Sequence, residues 1–287
     1  MNKIRHISAS YSGNKIALGE FEKVVQIFDI DTLNTISEFN SILSFGGKRI
    51  TINELGNICV CGAWAKFGLV GYNALNGEVI WQRKDLKKVQ HLSILRSNSD
   101  LFFANFSKSA SKLISFKDGS EINKIIGVEN YYESRFEPIN VYDKSTSIEL
   151  VNRITGNRIS KIDRQTFATL SLDFAKDCFC VSEAAGPISC YELDKGRLKW
   201  RLPIGMDGHY LSLAYNELLD RFIGISWPYL NGGDMKIHYM NPDSGKNDYV
   251  INIKKPAVTE FAKEGRLLIT SNKEIIDINT GEKKYWA

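Results

Sequence analysis

Val24-Val25-Gln26-Ile27-Phe28-Asp29-Ile30 runs directly into Asp31-Thr32-Leu33-Asn34. A short run rich in β-branched and aromatic residues reads as a strand, and the Asp/Thr/Asn cluster behind it reads as a tight turn. The same phrase recurs six times. Leu69-Val70-Gly71-Tyr72 leads to Asn76-Gly77, Leu113-Ile114-Ser115-Phe116 to Asp118-Gly119, and Ile148-Glu149-Leu150-Val151 to Thr155-Gly156. Ile188-Ser189-Cys190-Tyr191 leads to Lys195-Gly196, Met235-Lys236-Ile237-His238-Tyr239 to Ser244-Gly245, and Ile275-Ile276-Asp277-Ile278 to Thr280-Gly281. Glycine or asparagine closes every one of these turns, and these residues tolerate the positive φ that a tight hairpin requires.

The closing residues Asn34, Gly77, Gly119, Gly156, Gly196, Gly245 and Gly281 recur on average every ~41 residues, the period of a propeller blade. A second turn series precedes the first. It reads Ser12-Gly13-Asn14, Leu55-Gly56-Asn57, Asn98-Ser99-Asp100, Lys176-Asp177 and Glu264-Gly265. Two offset turn series on one period mean two hairpins per repeat, hence four strands per blade. Helical repeats fit poorly, because the apolar residues alternate with period two and the turns are too close together for 12-residue helices. The expected fold is all-β: a seven-bladed β-propeller of four antiparallel strands per blade, with residues 1–287 as one domain. The first blade begins with Ile4-Arg5-His6-Ile7-Ser8 and the seventh ends near Lys284-Tyr285-Trp286. Blades 1 and 7 are therefore expected to meet face to face without exchanging a strand.

Composition narrows the functional classes. The 287 residues are 43% hydrophobic and 24% charged, with 37 basic and 33 acidic side chains giving a net charge of +4. That balance argues against a nucleic-acid or membrane surface. The densest basic run, Lys84 to Lys88, reads as a solvated loop. The start, Met1-Asn2-Lys3-Ile4-Arg5-His6, contains no apolar segment of the signal-peptide kind, and no apolar run approaches the ~18 residues of a spanning helix. The five cysteines lack the density of a secreted disulfide scaffold. A cytoplasmic protein with reduced thiols is expected.

A search for reactive groups returns little. His6, His91, His209 and His238 are never near one another at metal-ligand spacing, so no metal site is expected. Cys59-Val60-Cys61 and Cys178-Phe179-Cys180 place two thiols on one side of a strand each, in blades far apart on the chain, as small buried residues do. No phosphate-binding glycine loop, nucleophile elbow or zinc-protease motif is present, and no catalytic residue is expected.

The repeats resemble those of WD40-type and quinoprotein-type (PQQ-like) propellers. Gly13-Asn14-Lys15-Ile16-Ala17-Leu18 followed by Val25-Gln26-Ile27-Phe28-Asp29 is similar to a WD40 repeat, with Phe-Asp where Trp-Asp would stand. Asn73-Ala74-Leu75-Asn76-Gly77-Glu78-Val79-Ile80-Trp81 is similar to a quinoprotein repeat, echoed by Gly196-Arg197-Leu198-Lys199-Trp200 and by Gly281-Glu282-Lys283-Lys284-Tyr285-Trp286. The sequence departs from both families. The early Gly-His pair of WD40 repeats occurs only at Gly208-His209, no Trp-Asp dipeptide exists, and there is no adjacent cysteine pair. No cofactor is expected.

In such propellers the loops between second and third strands, and those leading into the next blade, gather on one side. That implied placement collects Phe21 between Glu20 and Glu22, Trp64 with Phe67, and Tyr131 and Tyr132 between Glu129 and Glu133. It also collects Asp207, His209 and Tyr210, and then Trp227, Pro228, Tyr229 and Asp234 in the longest loop, which carries Gly232-Gly233. Large aromatics within a charged rim have the composition of a protein-binding hot spot. The expected partner is another protein. One version is a bacterial immunity or inhibitor protein occluding a toxin domain, with Glu20, Glu22, Glu129, Glu133 and Asp234 complementing a basic nuclease. The alternatives are an enzyme centred on the channel (a lyase, hydrolase or lactonase) or a propeller that binds a sugar or other small ligand.

Overall fold

The computed structural model describes residues 4–10, 13–20, 24–43, 49–63, 68–95, 97–107, 109–166, 169–183, 186–202, 209–227, 233–254, 256 and 258–286; of 20, 169, 170 and 209–211 only the backbone is described. All regular structure is β. Blade 1 holds β1 (Ile4–Ala9), β2 (Lys15–Glu20), β3 (Val24–Asp29) and β4 (Thr35–Asn40). Blade 2 holds β5 (Arg49–Ile52), β6 (Ile58–Gly62), β7 (Leu69–Asn73) and β8 (Val79–Arg83). Blade 3 holds β9 (Val89–Ile94), β10 (Leu101–Phe106), β11 (Ser109–Ser115) and β12 (Glu121–Ile125). Blade 4 holds β13 (Asn130–Glu133), β14 (Ile139–Asp143), β15 (Ser147–Asn152) and β16 (Arg158–Asp163). Blade 5 holds β17 (Thr169–Phe174), β18 (Cys178–Glu183), β19 (Ile188–Glu192) and β20 (Leu198–Leu202). Blade 6 holds β21 (His209–Asn216), β22 (Arg221–Trp227), β23 (Met235–Met240) and β24 (Asn247–Ile253). Blade 7 holds β25 (Thr259–Ala262), β26 (Leu267–Thr270), β27 (Glu274–Asp277) and β28 (Lys283–Tyr285).

Each blade is a four-stranded sheet whose strands lie in sequence order, and the seven sheets form a β-propeller. The turns between third and fourth strands form where the repeat placed them, except that in blade 1 Leu33 (φ 60°) and not Asn34 takes the positive φ, and their chemistry is local. In blade 1 the carboxylate of Asp29 accepts hydrogen bonds from the amides of Asp31 (3.0 Å) and Thr32 (2.9 Å). Asn152 and Asn241 do the same for Ile154 and Thr155, and for Asp243 and Ser244. A side-chain oxygen that satisfies two turn amides fixes the hairpin before any other blade is involved.

The chain divides into two compact units, Met1–Asn130 with Pro256–Ala287 and Tyr131–Lys255. The first carries blades 7, 1, 2 and 3, whose first strands β25, β1, β5 and β9 are successive neighbours. Its core is a series of layers between blades. Ile7, Ile16 and Phe28 of blade 1 pack on Ala262, Ile269 and Trp286 of blade 7. The two blades therefore meet face to face and each keeps its own four strands. Ile27 meets Ile52 and Tyr72 between blades 1 and 2, and Trp81 meets Phe102 and Phe116 between blades 2 and 3. The second unit repeats the plan. Val141 and Leu150 pack on Phe174 and Phe179 between blades 4 and 5, and Cys178 and Trp200 pack on Tyr215 and Phe222 between blades 5 and 6. Full burial of one such aliphatic or aromatic side chain contributes about 1.5–3 kcal/mol, so these layers, rather than strand pairing alone, hold successive blades together.

Candidate functional site

One end of blade 6, in the second unit, carries several residues of the expected binding surface. Along β22 the side chains of Phe222, Ile223, Ile225 and Ser226 are buried, and the strand leaves the core at Trp227, which is half-buried. Antiparallel pairing sets His209 of β21 opposite Trp227, and Tyr210 opposite Ser226. A register shift between Tyr210 and Ser212 bends the strand at this end. Gly233 and Asp234 are exposed and lead straight into Met235, which is buried. The fold thus gathers the backbones of His209, Tyr210, Trp227 and Asp234 at the same end of one sheet. The side chains of His209 and Tyr210, and all of Phe21, Trp64, Phe67, Tyr229, Asp207 and Pro228, lie outside the described residues.

Blade 4 departs from expectation. Tyr131 and Tyr132 are not loop residues but lie on β13, and Tyr131 and Glu133 point inward. Tyr131 is 7% exposed and donates its hydroxyl to Glu133 Oε1 at 2.8 Å, while its ring lies 5.5 Å from that of Tyr142. Burial and the adjacent Glu133 carboxylate push the phenol well above its ordinary range. A ring and a carboxylate that satisfy each other inside a sheet are withdrawn from any surface. Tyr132 is half-buried against the layer between blades 4 and 5.

Blade 6 also contains a Ser–His–Asn constellation that the sequence does not display. Ser226 Oγ lies 2.6 Å from His238 Nε2, and Asn247 Nδ2 lies 2.7 Å from His238 Nδ1. The direction of these bonds decides what the group can do. The backbone amide of Tyr239 donates to Asn247 Oδ1 at 3.1 Å, so the amide nitrogen of Asn247 is the atom that faces the ring. It donates to Nδ1, which leaves the proton on Nε2 and makes Ser226 Oγ its acceptor. A serine activated as a nucleophile needs the opposite arrangement, with its own proton given to the imidazole. Ser226 and His238 are both essentially inaccessible, at 0% and 1% exposure. The group is a structural network.

In the first unit, the start of β5 and the start of β9 bring basic groups together. Arg49 Nε donates to the carbonyl of Gln90 at 2.5 Å, linking the two first strands. Burial lowers the pKa of this guanidinium, and burial together with the Arg49 charge pushes the His91 imidazole down to about 4. His91 is therefore neutral near pH 7. The sequence singled out His91 but not Arg49, because only the neighbouring of β5 and β9 makes Arg49 significant. Among the described residues, no group of three or more His, Cys, Asp or Glu side chains is arranged to hold a metal ion. Among the same residues, no helix is long and apolar enough to cross a membrane.

No family model and no curated protein matches the sequence. Solved structures do match. The β-propeller domain of Cps50 (Swd1) from Myceliophteria thermophila superimposes with a TM-score of 0.72 at 12% identity, covering 100% of this chain and 97% of that one. The structure of U3-55K gives a TM-score of 0.72 at 10% identity, covering 94% of this chain and 88% of that one. Both are WD40 β-propellers, and at this identity the likeness concerns the fold.

Proposed function

We propose that this chain is a protein-binding scaffold, not an enzyme, and that it engages its partner through the Trp227 end of blade 6. The observation that carries this reading is an aromatic side chain leaving the core half-covered, beside the exposed carboxylate of Asp234, at the mouth of the longest blade loop. A rigid sheet presenting an indole with a charged rim is the arrangement from which interfaces draw most of their binding energy. The WD40 fold neighbours are consistent with a scaffold. The constellation in blade 6 most like a hydrolytic triad runs its protons in the wrong direction, which favours binding over acyl-transfer chemistry. Tyr132, His209, Tyr210 and Tyr229 of the second unit are retained in the proposed surface; Phe21, Trp64 and Phe67, expected to join it, belong to the first unit and lie outside the described residues. Tyr131 and Glu133 support it from inside blade 4.

The finer version of this reading is an immunity or inhibitor protein that occludes a toxin domain in the bacterial cytoplasm. Of the acidic residues that would complement a basic toxin, Asp234 is exposed and Glu133 is buried. The test is affinity capture from the native host with the wild-type chain and with Trp227→Ala. Recovery of a stoichiometric protein, weakened by about 2 kcal/mol or more in the variant, is the expected result. Equal recovery by both chains would move the interface away from blade 6. A partner with no toxic activity when expressed alone would remove the immunity version and leave the scaffold.

A further inference from the structure

We infer that the first unit carries a second, basic contact surface, formed by Arg49, Lys84, Lys87 and Lys88, which receives an acidic extended segment of a protein partner. The inference rests on the protein-binding reading above and adds the charge of the segment and the place where it lies.

Lys84 to Lys88 connect β8 to β9, and in the sequence they read as an ordinary solvated loop. The structure shows a loop that is tied down. Leu86 is buried in the layer between blades 2 and 3, and its amide donates to the Arg83 carbonyl. Lys87 donates its amide to Asp85, Ser107 donates to the carbonyl of Lys88, and Val89 donates to Ala63. Lys88 is held at φ 61°, in the left-handed region that a lysine seldom occupies. Asp85, the one acid of the loop, is taken up by Arg83 through two contacts of 2.9 and 2.6 Å. The exposed Lys84, Lys87 and Lys88 are left on a fixed backbone, and among the described residues none of them meets a carboxylate.

Arg49 distinguishes this cluster from the lone lysines that any surface carries. Among the described residues its side chain is bound to the Gln90 carbonyl alone, and Gln90 follows Lys88 by two positions, about 7 Å along an extended chain. Burial depresses its pKa, and among the described residues no carboxylate restores the hydration it has lost. A partly desolvated guanidinium whose remaining donors meet no acceptor among the described residues is poised for a carboxylate, which it can grip in two places. An acidic segment arriving here would meet Arg49 with one carboxylate and the fixed lysines with others. Nucleic acid fits less well. Its binding grows with the number of phosphates neutralised; this cluster is small, and the whole chain is nearly balanced in charge.

The test uses the full chain and a fluorescein-labelled peptide of alternating glutamate and glycine, with binding read by fluorescence anisotropy. Three variants are compared with wild type: Lys87→Gln/Lys88→Asn, in which Asn keeps the left-handed turn; Arg49→Gln; and the control Lys283→Gln/Lys284→Gln, which removes as many charges from the exposed β28. The expected result is salt-sensitive peptide binding weakened about tenfold by the first pair, weakened by Arg49→Gln, and unchanged by the control. Equal loss in the control, or no loss in either test variant, overturns the proposal. Tighter binding of a single-stranded oligonucleotide at the same residues also overturns it, in favour of nucleic acid. The two readings fail separately. A captured partner lost on Trp227→Ala but retained on Lys87→Gln/Lys88→Asn leaves the scaffold and removes the basic surface.

Discussion

Trp81, on the last strand of blade 2, donates its indole N–H to the main-chain carbonyl of Phe116 in blade 3 at 2.7 Å. Trp200 of blade 5 repeats the bond to the carbonyl of Pro242 in blade 6, also at 2.7 Å. Both tryptophans follow a turn glycine by four positions, so a feature written into each repeat becomes a tie to the next one. The acceptor lies at the end of the neighbour's third strand, where the hairpin begins and the carbonyl has no ladder partner. The indole thus covers apolar surface and satisfies a buried acceptor at once.

The tie depends on the absence of a side chain. At Gly119 a Cβ would stand 2.7 Å from Cε3 of Trp81, and the backbone there has φ 70°. Gly156 occupies the corresponding turn of blade 4 at φ 72°, and a Cβ there would meet nothing within 4 Å. Gly156→Ala is expected to cost about 1 kcal/mol from backbone strain alone. Gly119→Ala adds the displacement of a packed indole, for a total of about 2–4 kcal/mol. Urea unfolding of the two variants in parallel checks this, and equal destabilisation would show that the indole yields without loss.

The Ser226–His238–Asn247 network makes a sharper prediction because its outward form suggests chemistry. A fluorophosphonate probe should leave Ser226 unlabelled in the native protein, since its oxygen accepts a hydrogen bond from His238 and is out of reach of solvent. Asn247→Ala removes the donor to Nδ1 while Tyr239 loses its acceptor, and should cost about 1–3 kcal/mol. Labelling of Ser226 in mass spectra of folded protein would reverse the assignment of the ring proton.

How far the sequence reached depends on the range of the forces involved. The turns ending at Gly77, Gly119 and Gly245 were legible because their causes lie within four or five residues, in an Asx oxygen and a residue tolerant of positive φ. The four strands per blade followed from those turns. The position of Tyr131 was not legible. The connection before it is short, and whether a Tyr-Tyr pair ends a loop or begins a strand depends on the neighbour of that strand; adjacent aromatics suit a sheet at least as well. Ser226, His238 and Asn247 lie on three strands, and Arg49 and Gln90 on two, so only strand register and blade order could reveal either group. The two cysteine pairs were read as buried, but Cys190 was missed as a neighbour of the blade 5 pair because it faces Cys180 only through the pairing of β18 with β19.

Strong acid should weaken the hairpin of blade 1. Burial tends to raise the pKa of Asp29, but Lys15 at 2.6 Å and the amide and hydroxyl of Thr32 outweigh it and hold the carboxyl down at about 2. The folded value lies below the ordinary 3.8, so the contribution of this group to stability is complete above about pH 4 and is lost as the pH falls toward 2. Asp29→Asn keeps the turn acceptor and discards the charge. It should lower stability at neutral pH and flatten the decline between pH 4 and 2. Denaturation curves of both chains across that interval test the assignment, and parallel pH profiles would refute it.

The thiols offer a check on the layers between blades. Cys59, Cys61, Cys178, Cys180 and Cys190 are all buried thiols outside any disulfide. In blade 5 the thiols of Cys178 and Cys190 both point toward the Pro242 carbonyl, the acceptor that Trp200 also uses. Contact with Cys190 together with burial raises the pKa of Cys178, and burial raises those of Cys180 and Cys190. A thiol reagent needs both access and thiolate, and these groups offer neither while blades 5 and 6 stay closed. Ellman's reagent should therefore find almost no reactive sulfur in the native protein and all five thiols after unfolding in guanidinium. Trp200→Ala opens the layer that covers three of them, so in that variant Cys178, Cys180 and Cys190 should react ahead of Cys59 and Cys61. Simultaneous reaction of all five would mean that blades 5 and 6 separate only when the whole chain unfolds.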